Sequence, residues 1–191
     1  MSTNSVVAYL NEDGSVVSSY VHYDGYETGV GMMLLEHYNT DKCARDLAST
    51  LGYASSLSET VAESHADRVH TDEPETFESM EEFELYLMEN SHLEFGYLWT
   101  GGKWMVASWT TTVEGTGPYA EYNSTWNGFS WLVTSFVRSG RKTVDRFRDL
   151  ALEDNREGRN EYDEFADELE VTVDKWHRYG IGEIASEAMA A

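Results

Sequence analysis

A chain of 191 residues is long enough to bury one sizeable core, and 41% hydrophobic residues with six Trp and twelve Tyr are too many for a disordered segment. Thirty-five acids against thirteen bases give a net charge of −22, which repels phosphate and anionic lipid and argues against direct binding of nucleic acid or a membrane surface. The longest apolar run, Met32 to Leu35, is far too short to span a bilayer, Met1 to Val7 has no secretory character, and the single cysteine, Cys43, excludes an intrachain disulfide and a cysteine-based zinc site. These features point to a cytosolic protein.

The chain is expected to open on a β-hairpin. Ser5 to Leu10 and Ser15 to Tyr23 are rich in β-branched and aromatic residues, and Asn11-Glu12-Asp13-Gly14 between them has turn chemistry. In the second strand Tyr20, His22 and Asp24 share one face, so His22 and Asp24 project together. Asp24-Gly25-Tyr26 turns the chain, and Val30, Met33, Leu34 and His37 recur at helical spacing. Asn39-Thr40-Asp41 caps a second helix, Asp41 to Leu51, which Gly52 ends. Ala54 to Asp72 reads as a loop with a strand near Thr60 to Ser64. Ser79 and Glu82 have the spacing of a capping box, opening a helix that buries Met80, Phe83, Tyr86 and Leu87 and ends near Asn90.

Phe95 to Trp99 and Lys103 to Trp109, joined by Thr100-Gly101-Gly102, read as a second hairpin. The predicted fold class is therefore α+β, a four-stranded, mostly antiparallel sheet from two hairpins with helices on one face. Thr110 to Tyr122 is a connector, and a helix is expected from about Ser124. Val144, Phe147, Leu150 and Ala151 mark one amphipathic helix, broken near Gly158. Tyr162, Phe165, Leu169, Val173 and Trp176 mark another that Gly180 stops. Residues 1–110 thus form an α+β domain, and residues 111–191 an acidic helical extension packed on it.

Met1-Ser2-Thr3-Asn4-Ser5, Asp13-Gly14-Ser15-Val16, Tyr20-Val21-His22-Tyr23-Asp24-Gly25-Tyr26, Leu34-Leu35-Glu36-His37-Tyr38-Asn39-Thr40 and Leu51-Gly52-Tyr53-Ala54-Ser55-Ser56-Leu57 resemble a family of small tailed-bacteriophage accessory proteins. The similarity runs over residues 1–109 and carries no biochemical activity. It implies a phage gene product acting in the host cytoplasm.

Three sets of residues are candidates for function. The first is His22, Asp24, His37 and His65, with Asp67 nearby, residue types that suit a metal-dependent hydrolase. Their spacing matches no ligand motif, and a hydrogen-bonded cluster fixing the hairpin to the first helix is the favoured alternative. The second is the Trp-rich stretches, which read as core or protein interface because stacking platforms for nucleic acid lie in basic grooves. The third is the carboxylate rows, Glu78, Glu81, Glu82, Glu84 and Glu89 on one helix and Glu161, Glu164, Asp167, Glu168 and Asp174 on another.

Charge is unevenly placed. Glu59 to Glu94 holds twelve acids and one base, whereas Arg138 to Arg148 holds five bases and one acid. Rows of Asp and Glu on stiff helices imitate the charge of a duplex, so the expected function is a non-enzymatic protein that binds and inhibits a basic host partner, a nucleic-acid-binding or defence component, by DNA mimicry. No cofactor is expected. The alternatives are an acidic surface that is merely solvated, the hydrolase above, and a virion or assembly component.

Overall fold

The computed structural model describes residues 3–66, 72–114, 121–153 and 161–180. β1 (Asn4–Leu10) and β2 (Val16–Val21) form the expected hairpin, with Val6 opposite Tyr20 and Ala8 opposite Ser18. The Asn11 N–H donates to the Ser15 carbonyl at 2.8 Å, and Gly14 takes a φ of +89° that a side chain would resist. The Asp13 carboxylate accepts from the hydroxyl and the backbone N–H of Ser15, which holds its pKa below the ordinary value.

A π-helical turn (Glu27–Gly31) leads into α1 (Met32–His37), and α2 (Asp41–Thr50) begins where the Thr40 hydroxyl accepts the Cys43 N–H. Then come β3 (Tyr53–Ala54), α3 (Val61–Ala66), β4 (Glu75–Phe77), α4 (Met80–Glu89), β5 (Leu93–Thr100) and β6 (Lys103–Glu114). β7 (Glu121–Trp131), α5 (Leu132–Glu153) and α6 (Glu161–Gly180) follow. Two local expectations are corrected. Val61–Ala66 is a helix and not part of a strand, because Thr60 and Glu63 bond to each other's backbone N–H as a capping box. The stretch from Ser124 is strand as far as Trp131, hydrogen-bonded along β6, and becomes helix only at Leu132.

The α+β class holds, but the sheet differs from the four-stranded antiparallel one expected. The strand order is β3-β2-β1-β5-β6-β7, and β4 pairs with β2 along the edge that β3 also uses. β1 runs parallel to β5 and β2 parallel to β3, so the sheet is mixed. A parallel pair needs a crossover between its strands, and residues 22–92, with their helices, supply the one that joins the first hairpin to β5. The boundary expected at 110 falls inside β6, and the sheet continues across it into β7.

Helices cover both faces, a second correction. Val7 and Tyr9 of β1, with Tyr97, Trp99 and Trp104, pack against Leu34, Leu47, Phe136, Val173 and Trp176 from α1, α2, α5 and α6. Val6 and Ala8, whose side chains alternate to the other face, pack with Leu98 against Phe83 and Leu87 of α4. β1 is buried on both sides because it is a central strand. α5 and α6 form an antiparallel pair: Phe147 meets Phe165 near one end, and the Gly140 Cα approaches Val173 so closely that a Cβ would lie 2.4 Å from its Cγ2.

Candidate interaction surface on helix α4

α4 starts at a cap that the sequence spells out. The Ser79 hydroxyl accepts the Glu82 N–H at 3.2 Å, while the Glu82 carboxylate reaches one residue further back than a standard capping box and accepts the Glu78 N–H at 2.6 Å. Phe83 and Leu87 are fully buried, and Leu87 sits over Gly96 of β5, where a Cβ would lie 2.7 Å from its Cδ1. With that face fixed to the sheet, Glu78, Glu81, Glu82 and Glu89 are exposed and Glu84 is half-buried. Between Asp72 and Glu94 there are nine acids and no Lys or Arg. No ion pair involves Glu78, Glu81, Glu82, Glu84 or Glu89 among the described residues.

The same face exposes two large apolar side chains, Leu85 at 50% and Met88 at 47%. They lie one turn apart and are neighbours on the helix surface. Met88 also lines a groove of about 500 Å³ with Ser91, Glu94, Phe95, Trp109, Thr111 and Ser124. The Trp109 indole N–H is buried there and meets no hydrogen-bond partner among the described residues. Sequence reasoning placed the carboxylates but missed this groove, which is assembled from α4, β5, β6 and β7.

The second row behaves differently. Glu161, Glu164, Glu168 and Asp174 of α6 are exposed, but Asp167 is half-buried against α5, where the Arg148 guanidinium lies 2.7 Å from it. Arg148 also reaches Glu170 at 2.7 Å and Asp163 at 3.9 Å. Its pKa is raised by the hydrogen bonds to Asp167 and Glu170. The basic run of α5 thus balances part of the acidic face of α6. α4 and α6 lie on opposite faces of the sheet, so the two rows do not join into one ridge.

His22 and Asp24 of the first set make local contacts. β2 ends at Val21. His22 Nδ1 is 3.1 Å from the Tyr20 hydroxyl, and its ring stands edge-on to Tyr23. Asp24 takes a φ of +57°, which breaks the strand alternation, and its carboxylate accepts from the Tyr26 hydroxyl at 3.0 Å. His37 is exposed at the end of α1, His65 is half-buried in α3, and Asp67 lies outside the described residues. Among the described residues no three His, Cys, Asp or Glu side chains gather so as to hold a metal ion. No helix among them is long and apolar enough to cross a membrane.

Residues 20–40 are instead a structural hub. The buried Tyr97 hydroxyl donates to the Gly25 carbonyl at 2.8 Å, and burial raises its pKa well above the ordinary phenol value. Glu27 accepts from Ser135 and Ser139 of α5, and Glu36 accepts from Lys175 and the Trp176 indole of α6. Two carboxylates of the first third therefore hold the last two helices. No protein-family model, curated protein or solved structure matches the chain.

Proposed function

We propose that the protein is a binding partner for a cationic protein surface, which it engages through α4 and the groove beside it. The observation that carries this reading is the combination on one rigid face of five carboxylates without ion pairs among the described residues and the exposed pair Leu85 and Met88. An apolar centre with a charged rim is the usual plan of a protein interface, in which the centre supplies affinity and the rim speeds encounter and selects the partner's sign. In the setting that the N-terminal resemblance implies, the partner is a basic host protein whose nucleic-acid groove is blocked in the infected cell.

Magnitudes set the kind of mimicry. α4 is about 15 Å long, and a duplex carries about nine phosphate charges over that length. The four carboxylates within α4, Glu81, Glu82, Glu84 and Glu89, give a little under half that density. Competition with nucleic acid then comes from the sign and shape of the patch, and not from imitation of each phosphate.

The test is capture from host lysate at low and high salt, comparing the native chain with Glu81→Lys/Glu84→Lys/Glu89→Lys. This variant spares the Ser79 and Glu82 cap. A partner held by the native chain at low salt, released at high salt and lost by the variant supports the proposal. A partner held equally by both chains overturns it.

A further inference from the structure

β2 changes partner along one edge. Val16 to Ser18 pairs antiparallel with β4, and Tyr20 to Val21 pairs parallel with β3. Where the partners change over, the structure opens into a cavity of about 260 Å³. Val6 and Ser18, 1% and 2% exposed, form its buried end. Tyr20, Tyr53 and Tyr86 line it with Gly52, and Asp72, Glu73 and Glu75 stand at the exposed end. The rings of Tyr20 and Tyr53 are stacked at 5.4 Å and 26°. The Tyr86 hydroxyl donates to Glu75, and burial together with that bond raises its pKa, so it stays a neutral phenol. The Ser18 hydroxyl, deep in the cavity, enters no hydrogen bond among the described residues.

We infer that this cavity receives a guanidinium group, the side-chain head of an arginine presented by the partner that α4 engages. The described lining carries Glu73 and Glu75 beside Asp72, which has a partner of its own, and no Lys or Arg, a balance that disfavours an anion. Tyrosine faces attract a cation, and a planar guanidinium can lie flat on them. Two of its five N–H groups match the paired oxygens of a carboxylate, and one of the remaining three can donate to the Ser18 hydroxyl. A compact ammonium lacks that flat face and that fork. A divalent metal needs converging oxygens, and no such group exists among the described residues. The volume lies just below the range of pockets for drug-sized ligands, room for one head group and not for a cofactor. Tyr86 belongs to α4, so the cavity borders the proposed interface.

The assignment to a partner's arginine rests on the interaction reading above, whereas guanidinium recognition does not. The experiment is a two-dimensional NMR titration of the full chain with methylguanidinium, methylammonium and calcium, each alone. Saturable shifts confined to Ser18, Tyr20, Tyr53 and Tyr86 are expected with methylguanidinium only. Glu75→Gln should weaken it about tenfold and Tyr53→Leu about threefold or more, while Tyr53→Phe, which keeps the ring, should bind as the native chain does. Glu164→Gln, the same charge change on α6, should leave binding unaltered. No saturation, equal affinity for methylammonium or calcium, or equal weakening by Glu164→Gln overturns the inference. A capped arginine peptide binding more tightly than free arginine supports the partner as source, and the reverse order overturns that source. Failure of the α4 reading would leave methylguanidinium binding intact, and failure of this inference would leave lysate capture by α4 intact.

Discussion

α4 and α6 are both acidic helices laid on the same sheet, one on each face, yet their charges are handled in different ways. Arg148 draws Asp163, Asp167 and Glu170 of α6 toward α5, and Glu36 binds Lys175 and Trp176 from the same helix. α6 also exposes apolar rings, but Tyr162 and Phe165 pack on Phe147. α4 has no Lys or Arg near it in sequence, and its exposed Met88, one turn from Leu85, lines an open groove. A count of acids therefore does not measure the charge available to a partner. What matters is which carboxylates the fold has already matched with a cation.

If α6 is chiefly structural and α4 chiefly functional, the largest single effect on folding belongs to Trp176→Ala. Trp176 is fully buried between the sheet and α5, and its indole N–H donates to Glu36. Truncation leaves a cavity and takes one of two donors from Glu36, which keeps Lys175, at a cost of about 3–5 kcal/mol in equilibrium denaturation. Partner capture, measured where the variant is still folded, should persist. Loss of capture in a folded Trp176→Ala chain would break the division of labour.

Next in size is the paired charge reversal. Glu81→Lys/Glu84→Lys/Glu89→Lys on α4 should weaken binding of the captured partner about a hundredfold, near 2.7 kcal/mol, measured by calorimetry at low salt. Glu164→Lys/Glu168→Lys/Asp174→Lys changes the charge of α6 by the same amount and should weaken binding far less. Equal losses would mean that net charge, and not the α4 face, attracts the partner.

How much of this was legible in the sequence depends on whether the signal is local. The first hairpin, the second hairpin and the Ser79 cap are short-range features, and alternation or turn residues display them. The β1–β5 pairing joins residues about ninety apart, and its trace in the sequence is that Ser5 to Tyr9 is an unbroken buried run, as a strand covered on both faces must be. β7 was obscured because Trp126, Phe129 and Trp131 give neither period cleanly. Thr60-Val61-Ala62-Glu63 carried a helix start, overlooked because α3 is short. At the site, the acidic row of α4 follows from helical periodicity alone. The balance supplied by Arg148 was readable only as a basic helix followed by an acidic one, which invites antiparallel pairing. The cavity had no local signature, since Val6, Ser18, Tyr53 and Tyr86 come from four different elements.

A tyrosine on each side of the sheet sharpens the comparison at alkaline pH. Tyr97, on the side of α5 and α6, and Tyr86 of α4 both have raised pKa values, chiefly through burial. The unfolded chain ionises them near pH 10 while the fold keeps them protonated. Their contribution is therefore fully present below pH 10 and is lost as pH rises above it, with a slope of at most about 1.4 kcal/mol per pH unit for each group. Tyr97→Phe should cost about 1–2 kcal/mol at neutral pH, because the buried Gly25 carbonyl loses its donor, and should flatten the alkaline slope more than Tyr86→Phe does. Denaturation curves at several pH values above 9 check this, and a steeper slope lost in Tyr86→Phe would reverse the ranking.

Arg148→Ala has the smallest expected effect on folding and bears most directly on the contrast between the helices. About two-fifths of the side chain faces water, 40%, so each of its ion pairs is screened and the fold depends on them only slightly. A fall in Tm should be resolvable at low salt and should vanish at high salt. The consequence for binding is more informative. Asp163, Asp167 and Glu170 would lose the cation they share, and the α6 row would have one positive neighbour fewer. If open negative charge by itself recruits a cationic surface, Arg148→Ala should capture a polyarginine probe on the α6 face, and adding Glu164→Lys and Glu168→Lys should abolish that gain. If capture stays where it was, charge alone does not recruit, and the apolar pair Leu85 and Met88 is what makes α4 the binding face.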